Sequence, residues 1–410
     1  MTGETAFFLT LLVLCYAGVS GVVARWYFAP ALVFVLVGMA LGPFGVGVLD
    51  VGDDAQSFAV AAQLALTVIL FNQAAELDLS AVVRRRSVTF RLLVVGIPLA
   101  LTLGTVTALL VLPVMPLWEA VCLAAIVAPT EVALLHSLLE NERVPERIRH
   151  ALSTESGFYD GFALAAVFAA LALASDHTEP DPSRWGYFLL RTELLSVVIG
   201  VAVGALGGWA IARSRRHGWM NDTWAQLSTI ALALLCFQLG EHVHASGFVT
   251  AFAGGLMFAY IGRRMEVAPQ MQVSDAAGQL MELVVFAMFG AYAVIVGWRD
   301  ATWRVVLFAV LALVVVRLVT VSVALLGTDL VVRQRLFIAW FGPRGIGTLV
   351  LGLIVVDRGE IEQAGLITQV VVVTVTLSLV LHSATAWPGI RFLTGEGPPA
   401  PAEIPARTPR

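Results

Sequence analysis

Residues 117 to 139 read LWEAVCLAAIVAPTEVALLHSLL. The stretch is long enough to cross a bilayer, which takes about 20 mostly apolar residues in a helix. Pro129 nevertheless stands in its middle, followed at once by Thr130 and Glu131. Proline inside a helix removes a backbone donor and frees a carbonyl of the preceding turn. At membrane depth such freed groups persist only where protein or a water-filled cavity satisfies them. An interrupted span with a carboxylate at the interruption predicts an all-α membrane protein with a polar site in its interior.

Composition points the same way. Of 410 residues, 59% are hydrophobic and 13% charged, with a mean hydropathy of +0.86, against about 45–50% apolar and 25% charged in soluble domains. A soluble fold is excluded. All 25 basic residues are arginine, which excludes any mechanism that needs an intramembrane lysine. A net charge of -4, with arginines scattered through short loops, gives no footprint for nucleic acid. Cys15, Cys122 and Cys236 lie in apolar runs, where a thiol behaves as a small hydrophobe, and show no metal-binding spacing.

Thirteen apolar segments approach spanning length, near residues 5–24, 30–49, 56–76, 88–112, 117–139, 148–174, 187–212, 222–241, 246–262, 275–297, 303–327, 334–356 and 363–385. The first follows Glu4 without a basic n-region, so it is expected to be a retained helix rather than a cleaved signal. Arginines cluster after odd-numbered segments: Arg84, Arg85 and Arg86; Arg143, Arg147 and Arg149; Arg213, Arg215 and Arg216; Arg263 and Arg264; Arg333 and Arg335. Asp50, Asp53 and Asp54, and Asp176, Glu179 and Asp181, follow even-numbered ones. Because arginine biases cytoplasmic loops, the expected orientation places the N-terminus outside the plasma membrane and the C-terminus in the cytoplasm. The tail after Gly395, with Pro398, Pro399, Pro401, Pro405 and Pro409, is expected to be disordered, with no soluble domain attached.

A weak internal echo points to an inverted repeat. PALVFVLVGMALGP at residues 30 to 43 resembles GFVTAFAGGLMFA at 247 to 259, and the break Ala128-Pro129-Thr130 recurs as Gly342-Pro343-Arg344-Gly345. Segments 1 to 6 would then correspond to 8 to 13, with the seventh as connector. Two interrupted helices at corresponding places in two halves are the best sequence pointer to a transport site.

Ionisable residues inside spans cost roughly 2.5–3.5 kcal/mol each on the insertion scale. Glu131, Glu155, Asp160, Glu282, Arg317 and Arg344 are the six that stand out. Mutual neutralisation leaves acids over, and spare intramembrane carboxylates are what a cation or proton pathway requires. In the sixth segment, Thr154-Glu155-Ser156-Gly157-Phe158-Tyr159-Asp160-Gly161, helical spacing stacks Ser156 with Asp160 and Glu155 with Tyr159, one polar wall on an apolar helix. Its hard oxygen ligands suit an alkali cation. Arg344, at the second break, is placed either to offset carbonyl ends or to hold a carboxylate.

These residues resemble the monovalent cation:proton antiporters of the sodium/proton exchanger type, the NhaP-like branch of the cation:proton antiporter-1 family. The likeness runs over about residues 5 to 390. It rests on residues 30–43, on Glu76-Leu77-Asp78-Leu79 and the following arginines, on 128–133, 155–161 and 246–256, and on 341–348. It implies a homodimer: residues 1–81 and 222–297 as dimerisation scaffold, 87–175 and 303–390 as the translocating core with the two broken helices, the fifth and the twelfth, crossing at its centre, 187–212 as connecting helix and 391–410 as tail. Carried over, Asp160 matches the aspartate that binds cation or proton, and Ser156 and Thr130 match oxygen ligands for the cation, with Glu131 and Tyr159 beside them. Glu155 matches an acid held by an arginine of the eleventh helix, here Arg317, and Arg344 matches the arginine of the second break. Glu282 falls where the tenth helix often carries an acid. Two departures stand out: Thr130-Glu131-Val132 replaces Thr-Asp-Pro, and Tyr159 replaces the asparagine before the aspartate.

The expected activity is exchange of a monovalent cation, sodium first and potassium or lithium as variants, for protons. No cofactor and no enzymatic chemistry is expected, and membrane lipid and the transported ions are the partners. With one aspartate and no lysine, exchange is expected to be electroneutral. A sodium-coupled symporter of a small organic anion is the alternative, with Arg317 and Arg344 as anion ligands. An intramembrane aspartyl protease lacks its second aspartate, and His242-Val243-His244 lacks the spacing of a metalloprotease and reads as a solvated helix end.

Overall fold

Helix is the economical answer to a chain this apolar, because each backbone group then finds its partner within its own segment. The structure, a computed structural model, describes residues 3–25, 28–49, 55–77, 88–131, 133–135, 138, 141, 143–174, 182–358 and 361–395. The acidic loops at 50–54 and 176–181, the arginines at 84–86 and the tail after Gly395 lie outside the described residues.

The helices are α1 (Gly3–Arg25), α2 (Pro30–Leu41), α3 (Ala55–Glu76), α4 (Val88–Val111), α5 (Leu117–Val127), α6 (Glu146–Ala174) and α7 (Pro182–Arg216). They continue with α8 (Asp222–His242), α9 (Gly247–Arg264), α10 (Gln272–Arg299), α11 (Trp303–Ala324), α12 (Val332–Trp340), α13 (Ile346–Arg358) and α14 (Ala364–Thr394). Among the described residues there is no strand. Eight of these helices contain stretches long and apolar enough to cross a membrane, in α1, α3, α4, α7, α8, α10, α11 and α14, while α2, α5 and α13 are shorter apolar helices. For two of the missing spans, the fifth and the twelfth, the shortfall has a physical source. The segments around residues 117–139 and 334–356 are not continuous helices, because α5 stops at Val127 and α12 and α13 are parted by a non-helical stretch from Phe341 to Gly345.

Two sets of helices emerge from the packing. In one, α7 lies along α9, α9 on α3, α3 on α10 and α10 on α2. In the other, α5 lies between α4 and α6, α4 meets α11, and α14 runs along α11 and α13. Glycine permits the tightest crossings: a Cβ on Gly204 would stand 2.2 Å from the Gly254 carbonyl oxygen, and one on Gly38 would stand 2.0 Å from that of Ala287. Both α4 and α11 carry a π-turn, at Leu92–Gly96 and Leu311–Val316, and α10 carries one at Phe289–Ala293. His242, Val243 and His244 form an exposed helix end.

Candidate functional site

The two interruptions meet. The backbone N–H of Glu131 donates to the carbonyl of Pro343 at 2.8 Å, so the break after α5 is joined through the main chain to the break before α13. This oxygen and the Thr130 carbonyl are available because neither break continues a helical ladder past its proline. Close approach is required here. A Cβ on Gly345 would lie 2.5 Å from Cγ of Glu131, and one on Gly342 would lie 2.6 Å from Nε of Arg317.

Against this crossing stands α6. The hydroxyl of Ser156 donates to the freed carbonyl of Thr130 at 2.5 Å. One turn on, the Asp160 carboxylate lies 3.4 Å from the place a Gly347 Cβ would occupy, at the start of α13. The charge of Glu131 acts on both Asp160 and Glu282, so three carboxylates from α6, the first break and α10 share one neighbourhood. One Glu282 carboxylate oxygen is buried without a hydrogen-bond partner.

Glu155 and Tyr159 form the adjacent row, and Glu155 meets the Arg317 expected to hold it. Arg317 grips Glu155 with both ends of its guanidinium, Nη1 to Oε1 and Nη2 to Oε2, the latter at 2.9 Å, and Nη2 also reaches the Ile338 carbonyl at 3.3 Å. Tyr159 packs with Leu93, Ile97, Ala100 and Ala128, and lines a cavity of about 20 Å³ together with Arg317 and Arg344. The two adjacent rows of α6 thus meet different partners. Ser156 and Asp160 face the crossing of the breaks, and Glu155 and Tyr159 face α4 and α11. Helical spacing sets the rows, and helix packing decides which neighbour each row meets.

Of the two options for Arg344, the structure takes the first. Its Nε donates to the Val127 carbonyl at the end of α5 and its Nη1 to the Gly342 carbonyl, while its own N–H donates to the Ser378 hydroxyl at 2.7 Å. A guanidinium there offsets the negative ends of α5 and of the second break. All nine residues singled out in the sequence, Thr130, Glu131, Glu155, Ser156, Tyr159, Asp160, Glu282, Arg317 and Arg344, are buried, none more than 5% exposed.

Several contributors escaped the sequence reading. Glu119 in the first turn of α5 accepts the N–H groups of Glu362 and Gln363, each at 3.0 Å, and so caps α14. Ser378 and His382 on α14 line the second break. The buried Thr348 hydroxyl, next to Gly347, has no hydrogen-bond partner. Glu119, at least, was visible as an acid near a span end. Among the described residues no group of three or more His, Cys, Asp or Glu side chains is placed to hold a metal ion.

The profile of the transmembrane sodium/hydrogen exchanger family matches residues 8–388. The chain belongs to the sodium/hydrogen exchanger family. Among relatives of this chain, the K(+)/H(+) antiporter NhaP of Alkalimonas amylolytica is 25% identical over 90% of this chain and 63% of its own length. A probable Na(+)/H(+) antiporter of Schizosaccharomyces pombe is 25% identical over 73% of this chain and 41% of its own length. The chain thus spans less than two thirds of the length of these curated relatives. In fold it is similar to the sodium proton antiporter MjNhaP1 of Methanocaldococcus jannaschii, with a TM-score of 0.77 at 19% identity, covering 93% of this chain and 98% of that one. Nothing among these relatives speaks for the symporter of an organic anion.

Proposed function

We propose that this exchanger is a secondary antiporter that trades a monovalent cation, sodium in the first place, for protons by alternating access, with cation and proton competing for Asp160. The observation that carries the reading is the seating of Asp160 and Ser156 against two crossed helix breaks inside a member of an exchanger family. A carboxylate, a hydroxyl and a freed carbonyl are hard oxygen donors suited to an alkali cation. A desolvated carboxylate holds a proton or a cation, one positive charge at a time.

In this reading Asp160, Ser156 and Thr130 are the cation ligands, with Glu131 beside them. Glu155, Arg317, Arg344 and Glu282 balance charge around the site. Tyr159 acts from the adjacent row of α6, where its ring sets the room beside Arg317 and Arg344. The α12 and α13 halves make one span of thirteen, arranged as an inverted repeat. The corresponding breaks, the π-turns in both α4 and α11, and the crossings of α2 with α10 and of α3 with α9 support it. Helices α1–α3 and α8–α10 serve as the scaffold of a homodimer, α4–α6 and α11–α14 as the moving core, and α7 connects them. The N-terminus lies outside the plasma membrane. With no lysine and one central aspartate, exchange is electroneutral.

The test is acridine-orange dequenching in everted vesicles from cells lacking their own antiporters, with sodium, potassium and lithium added in turn. Wild-type protein should dequench on cation addition and Asp160→Asn should not. Dequenching that survives Asp160→Asn sinks the assignment.

A further inference from the structure

The antiport chemistry leaves one buried ionisable side chain of the second break unused. His382 sits on α14, one turn after Ser378, and both are buried. The Ser378 hydroxyl accepts the backbone N–H of Arg344 at 2.7 Å and stands 3.2 Å from Nδ1 of His382. The other ring nitrogen, Nε2, stands 3.1 Å from the carbonyl oxygen of Trp340. Trp340 is the last residue of α12, and Arg344 stands two residues before α13 begins at Ile346. Two side chains of α14 therefore reach across the break from one end almost to the other.

The chemistry gives this path a direction. A peptide carbonyl only accepts, so the contact with Trp340 is a hydrogen bond only when Nε2 carries the hydrogen. A neutral ring in that form offers Nδ1 as acceptor to the Ser378 hydroxyl. The chain then runs without a gap: Arg344 N–H to Ser378 Oγ, Ser378 O–H to His382 Nδ1, His382 Nε2–H to Trp340 C=O. Nδ1 also stands 2.8 Å from the Ser378 carbonyl, a bond that the opposite tautomer makes within α14 while leaving α12 untied, so the staple belongs to the Nε2–H form of the ring. The charged groups facing the ring are the guanidiniums of Arg344 and Arg317, both cations, and the neutral ring adds no third charge.

We propose that Ser378 and His382 form a staple across the second break, a pair of positioning residues that hold the carbonyl end of α12 and the N–H of Arg344 in register. The consequence lies at the site. Arg344 held in this way keeps its guanidinium on Val127 and Gly342, and so keeps the two breaks aligned beside Asp160. The staple rests on the antiport reading, since its effect is read in exchange.

The experiment compares wild type, His382→Ala, Ser378→Ala, the double variant and His382→Gln in the vesicle assay, with membrane content measured for each. Each alanine variant should raise the apparent KM for the cation about tenfold, the equivalent of one buried hydrogen bond left unmade, with a smaller change in maximal rate. The double variant should be no worse than either single one, because both residues serve one chain of hydrogen bonds. His382→Gln should recover part of the loss, since an amide both donates and accepts. Unchanged KM in the single variants, or effects that multiply in the double, overturns the staple. If His382→Ala does not reach the membrane, Ser378→Ala decides alone, by a raised or a normal KM. A wild type that exchanges nothing defeats the antiport reading, which separates the two failures.

Discussion

Arg317 and Glu155 form a fully buried, two-point ion pair between α11 and α6, and its energetics differ from those of a surface salt bridge. Removing one partner strands a charge in low dielectric, which costs about 3–5 kcal/mol, whereas removing both at similar volume is often close to neutral. Glu155→Gln and Arg317→Met should therefore each lower the melting temperature of the detergent-solubilised protein markedly, and the double variant should regain most of the loss. Additive losses would mean that the pair is not a unit. Tyr159→Asn is the companion test on the same face of α6: it should change the ranking of sodium, potassium and lithium while leaving exchange by Asp160 in place. At this scale the charged residues were legible in the sequence because a charge inside an apolar run is costly unless a partner or a function retains it. Ser378, His382 and Thr348 were not, because hydroxyls and a single imidazole scarcely interrupt hydropathy, and their importance comes from lying beside the second break in three dimensions.

The breaks themselves were legible as elements because proline and glycine announce them, at Pro129 and at Gly342-Pro343. Their crossing was legible only through the family resemblance and not from the residues themselves, since a main-chain bond from Glu131 to Pro343 joins residues more than 200 positions apart. The π-turns in α4, α10 and α11 were equally invisible, because Leu92–Gly96 and Leu311–Val316 carry no residue that marks an extra backbone turn. The crossing makes a steric prediction. At Gly345 an added Cβ meets Cγ and Cβ of Glu131 at 2.5 and 2.7 Å, while at Gly365 nothing lies within 4 Å. Gly345→Ala should destabilise the fold by about 1–3 kcal/mol through overpacking and suppress exchange, and Gly365→Ala should change neither thermal stability nor transport. An active Gly345→Ala protein of normal stability would show that the two breaks are not held against each other.

At the scale of the whole molecule, absence of lysine and the placement of charges carry the argument. Exchange through a single central carboxylate moves one positive charge each way, so the rate should be unaffected when the membrane potential is clamped at different values with potassium and valinomycin. A rate that follows the potential would bring Glu131 or Glu282 into the cycle as a second titrating group. The central claim is that cation and proton exclude each other at Asp160, and linkage then dictates the sign of the pH effect. The most direct measurement is the initial rate of exchange against cation concentration over a series of pH values. The account predicts that acidification raises the apparent KM, approaching about tenfold per pH unit where the protonated form dominates, while the maximal rate at saturating cation stays constant. A KM that holds constant while the maximal rate falls would place the proton at a separate site and contradict it.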